Sequence, residues 1–137
     1  MGTVYSEITL LNSMDLGKVT EGLLKKENVR SVTIRAIADT GAMYMVINEE
    51  IRQKLGLGIW GEKSVLIANG QRITAKETEP VVVRWKNRQT ACSALVISDA
   101  KVILFGAIPM EGMDLMVNPV TQEVVGAHGD REECLIL

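Results

Sequence analysis

Histidine, cysteine, proline and aromatic side chains are scarce in this chain of 137 residues: one His, two Cys, three Pro and an aromatic content of 4%. Each scarcity narrows the chemistry available. His128 lies in the polar, glycine-rich stretch Gly126-Ala127-His128-Gly129-Asp130-Arg131, which reads as a surface turn, and no Ser, His and Asp set or Cys and His set stands out. Cys92 and Cys134 are far apart and, even with His128, match no metal-ligand spacing, so they read as reduced structural thiols and no metal or cofactor is expected. No segment offers the roughly 18 consecutive apolar residues of a membrane span. A net charge of −2 leaves no electrostatic footprint for nucleic acid. The first residues lack a basic region followed by an apolar one, so no secretory signal is apparent and a cytoplasmic protein is expected.

What the chain does have is apolar patterning. Apolar residues make up 47% and charged residues 23%, a globular balance, and the length suits one domain spanning residues 1–137. Strand signals dominate. Val4 to Leu10 opens as a β-run that Asp15-Leu16-Gly17-Lys18 breaks as a turn would, and Val29 to Ala38 follows with β-branched Val32, Thr33, Ile34 and Ile37. Pro80 to Trp85, Thr90 to Ile97 and Lys101 to Phe105 read as strands separated by turns at 86–88 and 98–100, and Asp114 to Val117 pairs with Gln122 to Val125 across Asn118-Pro119. Asn48 is placed to cap a short helix through Leu55 that stops at Gly56, and a second short helix is expected at Pro109 to Met113.

The most informative stretch is Ile37-Ala38-Asp39-Thr40-Gly41-Ala42, where a β-run delivers an Asp into a tight loop of small residues. Asp39 is the candidate catalytic carboxylate. Thr40 can hydrogen-bond, Gly41 admits close backbone approach, and Ala42 keeps the loop tight. Three letters alone are weak evidence, but Val102-Ile103-Leu104-Phe105-Gly106-Ala107 is a second apolar run into a small-residue corner. Between the two, apolar flanks surround Asn69-Gly70 in the stretch from Val65 to Thr74, a strong hairpin signal.

In this order of parts the chain resembles the retropepsin-like aspartic proteases, with Asp39 to Ala42 as the catalytic loop, Leu104-Phe105-Gly106 as the strand crossing beneath it, and Ile67, Ala68, Asn69, Gly70 and Gln71 at the flap. The likeness runs from about Val29 to Pro119. It implies an all-β, single-domain acid-protease fold with one or two short helices, assembled as a two-fold homodimer. It also implies catalytic roles for Asp39, Thr40 and Gly41, and substrate contacts from Ala42, the flap residues, Leu104, Phe105 and Gly106. A carboxylate mechanism needs one ionised and one protonated acid. One Asp-Thr-Gly per chain therefore implies that two copies each contribute Asp39, with Thr40 bracing the loops across the axis and a peptide or protein as substrate. By the same likeness the apolar end Cys134-Leu135-Ile136-Leu137 would pair with the partner's termini.

The sequence departs from viral members of that family, where the residue after the second-corner Gly is commonly Arg, paired with an acid two residues past the catalytic Gly. Here those positions are Ala107 and Met43, replaced together. A rival from another class is a non-catalytic dimerisation or peptide-binding domain of the same fold. A third reading, the phosphate loop of an actin-like ATPase, needs a longer two-lobed chain. Gly56-Leu57-Gly58-Ile59-Trp60-Gly61 has dinucleotide-loop spacing but follows a helix and precedes a strand, the reverse of what a pyrophosphate site requires. Trp60 and Trp85 read as core or flap-base packing.

Overall fold

The computed structural model describes residues 2–133. The expected pairing of Cys134 to Leu137, and the state of the Cys134 thiol, lie outside the described residues. Eleven strands account for most of the regular structure: β1 (Tyr5–Asn12), β2 (Ser31–Ala38), β3 (Met45–Ile47), β4 (Ile59–Leu66), β5 (Arg72–Thr78), β6 (Val81–Trp85), β7 (Arg88–Cys92), β8 (Ala94–Val96), β9 (Leu104–Phe105), β10 (Leu115–Asn118) and β11 (Glu123–Gly126). Nine form one sheet in the order β4-β5-β8-β3-β9-β2-β1-β6-β7, and β10 and β11 form a separate antiparallel pair.

Helices are more numerous than the expected one or two: α1 (Ser13–Thr20), α2 (Glu49–Leu55) and α3 (Ala107–Gly112), with a single 3-10 turn at Lys26–Asn28. α2 forms as anticipated. The Asn48 side chain accepts from the Ile51 N–H at 2.9 Å, acids occupy the first turn, and Gly56 closes the end in the left-handed conformation at φ 64°. α1 corrects the reading of Asp15 to Lys18 as a turn. Gly17 and the β-branched Val19 and Thr20 are weak helix formers, and the helix is started by a tertiary anchor. Asn12, 1% exposed, accepts from the Asp15 N–H at 2.9 Å through its side-chain oxygen and donates its amide to the Leu55 carbonyl at 2.7 Å. Arg30 then pairs with Asp15 in a two-pronged arrangement at 2.8 and 2.9 Å, fastening the 13–30 segment back onto β2. That guanidinium holds the Asp15 carboxyl down at about 2.

The core draws residues from strands across the sheet and from α2 and α3. Ile8, Leu10, Met45, Ile47, Leu55, Leu57, Val81, Val83 and Phe105 are each no more than 1% exposed, and removal of their apolar surface from water is the main stabilising contribution. Three further expectations need correction. Thr90 to Ile97 is two strands, β7 and β8, broken at Ser93, because β7 pairs with β6 while β8 pairs with β3 and β5. Lys101 to Phe105 is strand only at Leu104–Phe105. Trp85 is buried and donates its indole N–H to Ser6 Oγ at 3.0 Å, whereas Trp60 stands at the base of the β4–β5 hairpin 67% exposed, so of the two alternatives, core or flap base, the core holds for Trp85 and not for Trp60.

Candidate active site

The topology around Asp39 is a strand threaded through a loop. β2 ends at Ala38, the chain turns through Asp39 to Tyr44 and returns as β3, and β9 inserts between the two, parallel to β2 (Ile37 opposite Leu104, Ala38 opposite Phe105) and antiparallel to β3 (Val46 opposite Leu104). Backbone bonds then close the corner. Asp39 N–H donates to the Phe105 carbonyl at 3.0 Å, Ala107 N–H to Ala42 at 2.8 Å and Ile108 N–H to Met43 at 2.9 Å, while Ala42 N–H reaches back to the Asp39 carbonyl at 3.1 Å. Ala107 and Met43 both take part in this ladder, but with Ala42 and Ile108 as their partners and not with each other.

Gly106 makes the crossing possible for a steric reason. A Cβ there would stand 2.3 Å from the Tyr44 carbonyl oxygen and 2.7 Å from that of Ala42. Its φ of −88° is one any residue adopts, so space is the constraint. Gly41 is less tightly confined. Its backbone is not left-handed, but its N–H donates to Asp39 Oδ1 at 2.9 Å, and a Cβ would lie 3.2 Å from that oxygen. Gly41 thereby orients the carboxylate. No ion pair among the described residues engages Asp39, which stands half-buried, with Thr40 and Gly41 exposed beside it.

Asp39 borders two hollows. One, of about 670 Å³, runs between the corner and the β4–β5 hairpin and is walled largely by apolar side chains, among them Met43, Val46, Val65, Ile67, Leu95 and Leu104. The other, of about 510 Å³, lies on the opposite side of the loop against Thr3, Val4, Val117, Pro119 and Gln122. The hairpin tip is a three-residue loop, Ala68-Asn69-Gly70, between Ile67 N–H and the Gln71 carbonyl at 2.9 Å. Gly70 is left-handed at φ 84°, and the Asn69 side chain accepts from the Gln71 N–H at 2.8 Å. Asn-Gly marks the hairpin, in the longer, glycine-closed form.

Of the sequence-derived site residues, Asp39, Gly41, Ala42, Ile67, Ala68 and Leu104 border the larger cleft together, and Thr40 faces the smaller hollow. Asn69, Gly70 and Gln71 sit at the exposed tip without lining the cleft, and Gly106 lies beneath the loop. Phe105, expected to touch substrate, is wholly buried in the core. Its side chain supports the corner from below because strand alternation turns Leu104 to the cleft and Phe105 away. Sequence reasoning missed Met43, Tyr44, Val46, Lys63, Leu95 and Ile97, which also line the cleft. The period-2 alternation of β4 could have singled out Lys63.

Other reactive groups are spoken for. Burial pushes the Cys92 thiol up to about 11, and no cluster of three or more His, Cys, Asp or Glu suited to a metal occurs among the described residues. His128 is exposed and binds Asp114 through Nδ1 at 2.8 Å, raising its own pKa and lowering that of the acid. No described helix is long and apolar enough to cross a membrane. No curated protein matches the chain. The family model for aspartyl proteases, however, matches residues 26–126, the span that holds the Asp39 corner, the hairpin and the Gly106 crossing, and the chain belongs to that retropepsin-like family.

Proposed function

We propose that this protein is an aspartic endopeptidase in which two copies each contribute Asp39 to one active site. The observation that carries this reading is the fixed presentation of Asp39. Its backbone is tied to the β9 crossing and one oxygen is held by Gly41 N–H, at the junction of an apolar cleft and a second hollow. A lone carboxylate can take a proton from water or give one to a leaving nitrogen, but not both in the same step. A second Asp39 brought close would share a proton with the first, because two like charges at short range cannot both ionise cheaply. The pair then activates water with its ionised member and polarises the peptide carbonyl with its protonated member, and the two macroscopic pKa values belong to the pair. The exposed Thr40 and the hollow on its side of the loop leave room for the partner's loop, and the cleft beneath the hairpin takes an extended peptide or protein segment. The reaction so proposed runs on carboxylates alone and needs no metal.

Asp39→Asn tests this directly, since the amide keeps the shape and removes the base. Peptide cleavage at acidic pH should fall by roughly 10³-fold or more, with circular dichroism and sedimentation unchanged. Wild-type turnover in that variant, or full activity of a monomer, would exclude the shared-carboxylate site. Folded wild-type protein that binds peptide without cleaving it would favour the non-catalytic alternative.

A further inference from the structure

The underside of the β4–β5 hairpin does not carry one kind of side chain throughout. Burial alternates along it: Lys63, Val65 and Ile67 are half-buried, while Glu62, Ser64 and Leu66 are exposed, although Ser64 and Leu66 also border the cleft. Ile67 and Val65 extend the apolar wall of the cleft, but Lys63, two side-chain steps from Ile67, places an ammonium there. Lys63 and Asp39 are the charged residues lining the cleft among the described residues. The Lys63 side chain, 38% exposed, lies with Nζ 5.6 Å from the centre of the Tyr44 ring and 3.7 Å from a Glu77 carboxylate oxygen. That separation is longer than a hydrogen bond. The ammonium is therefore guided over the cleft by Tyr44 and Glu77 while neither grips it closely.

We propose that Lys63 is a specificity-determining residue whose ammonium receives an acidic side chain of the bound peptide, with Tyr44 as the floor of that subsite and Glu77 as the group the peptide carboxylate displaces or supplements. The inference rests on reading the cleft as a peptide site. Lys63 stands four residue steps from Ile67 near the tip, roughly 13 Å at the rise of a β-strand. An extended substrate covers that length with about four residues. Met43, Val46 and Leu104 line the same cleft with apolar side chains, so an acidic preference is expected at one position of the peptide and not along its length. Charge complementarity at this end of the cleft selects among peptides that apolar burial alone would treat alike.

The test uses the full chain carrying Asp39→Asn, so that binding is measured without turnover, and a fluorescent apolar decapeptide series in which a single Glu or Gln is moved through successive positions. At one position Glu should bind roughly fivefold more tightly than Gln, the worth of one partly exposed ion pair, and salt should erode the preference. Adding Lys63→Met should abolish the preference, Lys63→Glu should invert it toward a Lys-bearing peptide, and Glu77→Gln should strengthen it by removing the internal competitor. A purely structural Lys63–Glu77 pair would not give that last result. Equal binding of Glu and Gln peptides at every position, absence of peptide binding, or a preference that survives Lys63→Met would overturn the assignment. Assaying the same peptides for cleavage by the wild type separates the two readings. A Glu preference without cleavage removes the protease and keeps the subsite, while cleavage without a Glu preference does the reverse.

Discussion

The corner that presents Asp39 and the hairpin that covers it are built on opposite plans. The corner is tied by backbone bonds from two separate stretches of chain: Val4 to Ala38, and the run from Phe105 to Ile108 to Asp39, Ala42 and Met43. It stands over the buried Phe105 with no room for a methyl group at Gly106. The β4–β5 hairpin has one edge of the nine-stranded sheet to itself and joins the remainder through only two register pairs, Lys76 with Val96 and Glu77 with Leu95. Beyond them it projects with Leu66 and the tip residues exposed. A catalytic carboxylate loses effectiveness when misplaced by an ångström, whereas a cover must part for substrate to enter. Local opening costs least where few contacts cross, so the fold places its give in the hairpin and its fixity in the corner.

The severest way to break that contrast is Gly106→Ala. The added methyl would overlap two backbone carbonyl oxygens and the Met43 carbonyl carbon at 2.9 Å, none of which can swing aside as a side chain could. Relief requires moving the β9 crossing, and a cost of about 3 kcal/mol or more is expected. Chemical denaturation should show it as a large fall in midpoint. A variant of near wild-type stability would mean that the corner is softer than its bonding implies.

That corner was also the most legible part of the sequence. Asp39-Thr40-Gly41-Ala42 and Leu104-Phe105-Gly106 are recognisable because the threading geometry admits few residue types. The hairpin could also be read, from Asn69-Gly70 between apolar flanks, and α2 from its two caps. What could not be read depends on partners distant in sequence. α1 starts because Asn12 reaches Leu55, 43 residues away, and nothing within Ser13 to Thr20 announces it. β3 is three buried residues, too short for any periodicity. Arg88 looked like part of a surface turn, but is 3% exposed because the carbonyls of Met113, Asp114 and Gly129 converge on its guanidinium. The identity of Leu104, Phe105 and Gly106 was plain, whereas their division between cleft and core waited on the pairing of β9.

At the root of the hairpin a smaller perturbation sharpens the comparison. Thr78 is fully buried, donating its hydroxyl to the Glu79 carbonyl at 2.7 Å and accepting from the Ala94 N–H at 3.0 Å. Thr78→Val keeps the volume but leaves the Ala94 N–H without its partner, for a loss of about 1–3 kcal/mol. Amide exchange should accelerate at Ala94 and along the hairpin, with little change at Asp39 and Ala42. Equal acceleration at the corner would show that the two regions open together.

The tip should tolerate substitution better. Gly70 faces open space, so only its left-handed backbone, φ 84°, resists a side chain. Gly70→Ala is expected to cost about 1 kcal/mol locally, with global unfolding nearly unchanged. Because the strain falls on the cover, KM should shift more than the melting temperature. A loss of global stability matching that of Gly106→Ala would abolish the distinction between cover and corner.

The smallest effect concerns pH and separates folding from catalysis. The Asp114 hydrogen bond raises the pKa of His128 above its ordinary 6.5, so the stability it contributes is complete below that value and is lost as pH rises through the raised pKa. His128 in turn lowers the pKa of Asp114 below its ordinary 3.8, so that contribution is present above 3.8 and fades as pH falls through the lowered value. The pair is therefore at full strength between about pH 4 and pH 6.5. Both groups are near the surface, which keeps the effect small. Comparing the melting temperatures of wild type and His128→Ala, from about pH 3 to about pH 9, should give the widest gap inside that window and convergence at either end. A gap that widened above neutrality would contradict the ion pair. Neither group borders the cleft, so the acid-side dependence of kcat should be the same in both proteins. If kcat moved with the melting temperature, the corner would owe its fixity to the chain around His128 as well as to the crossing at Gly106.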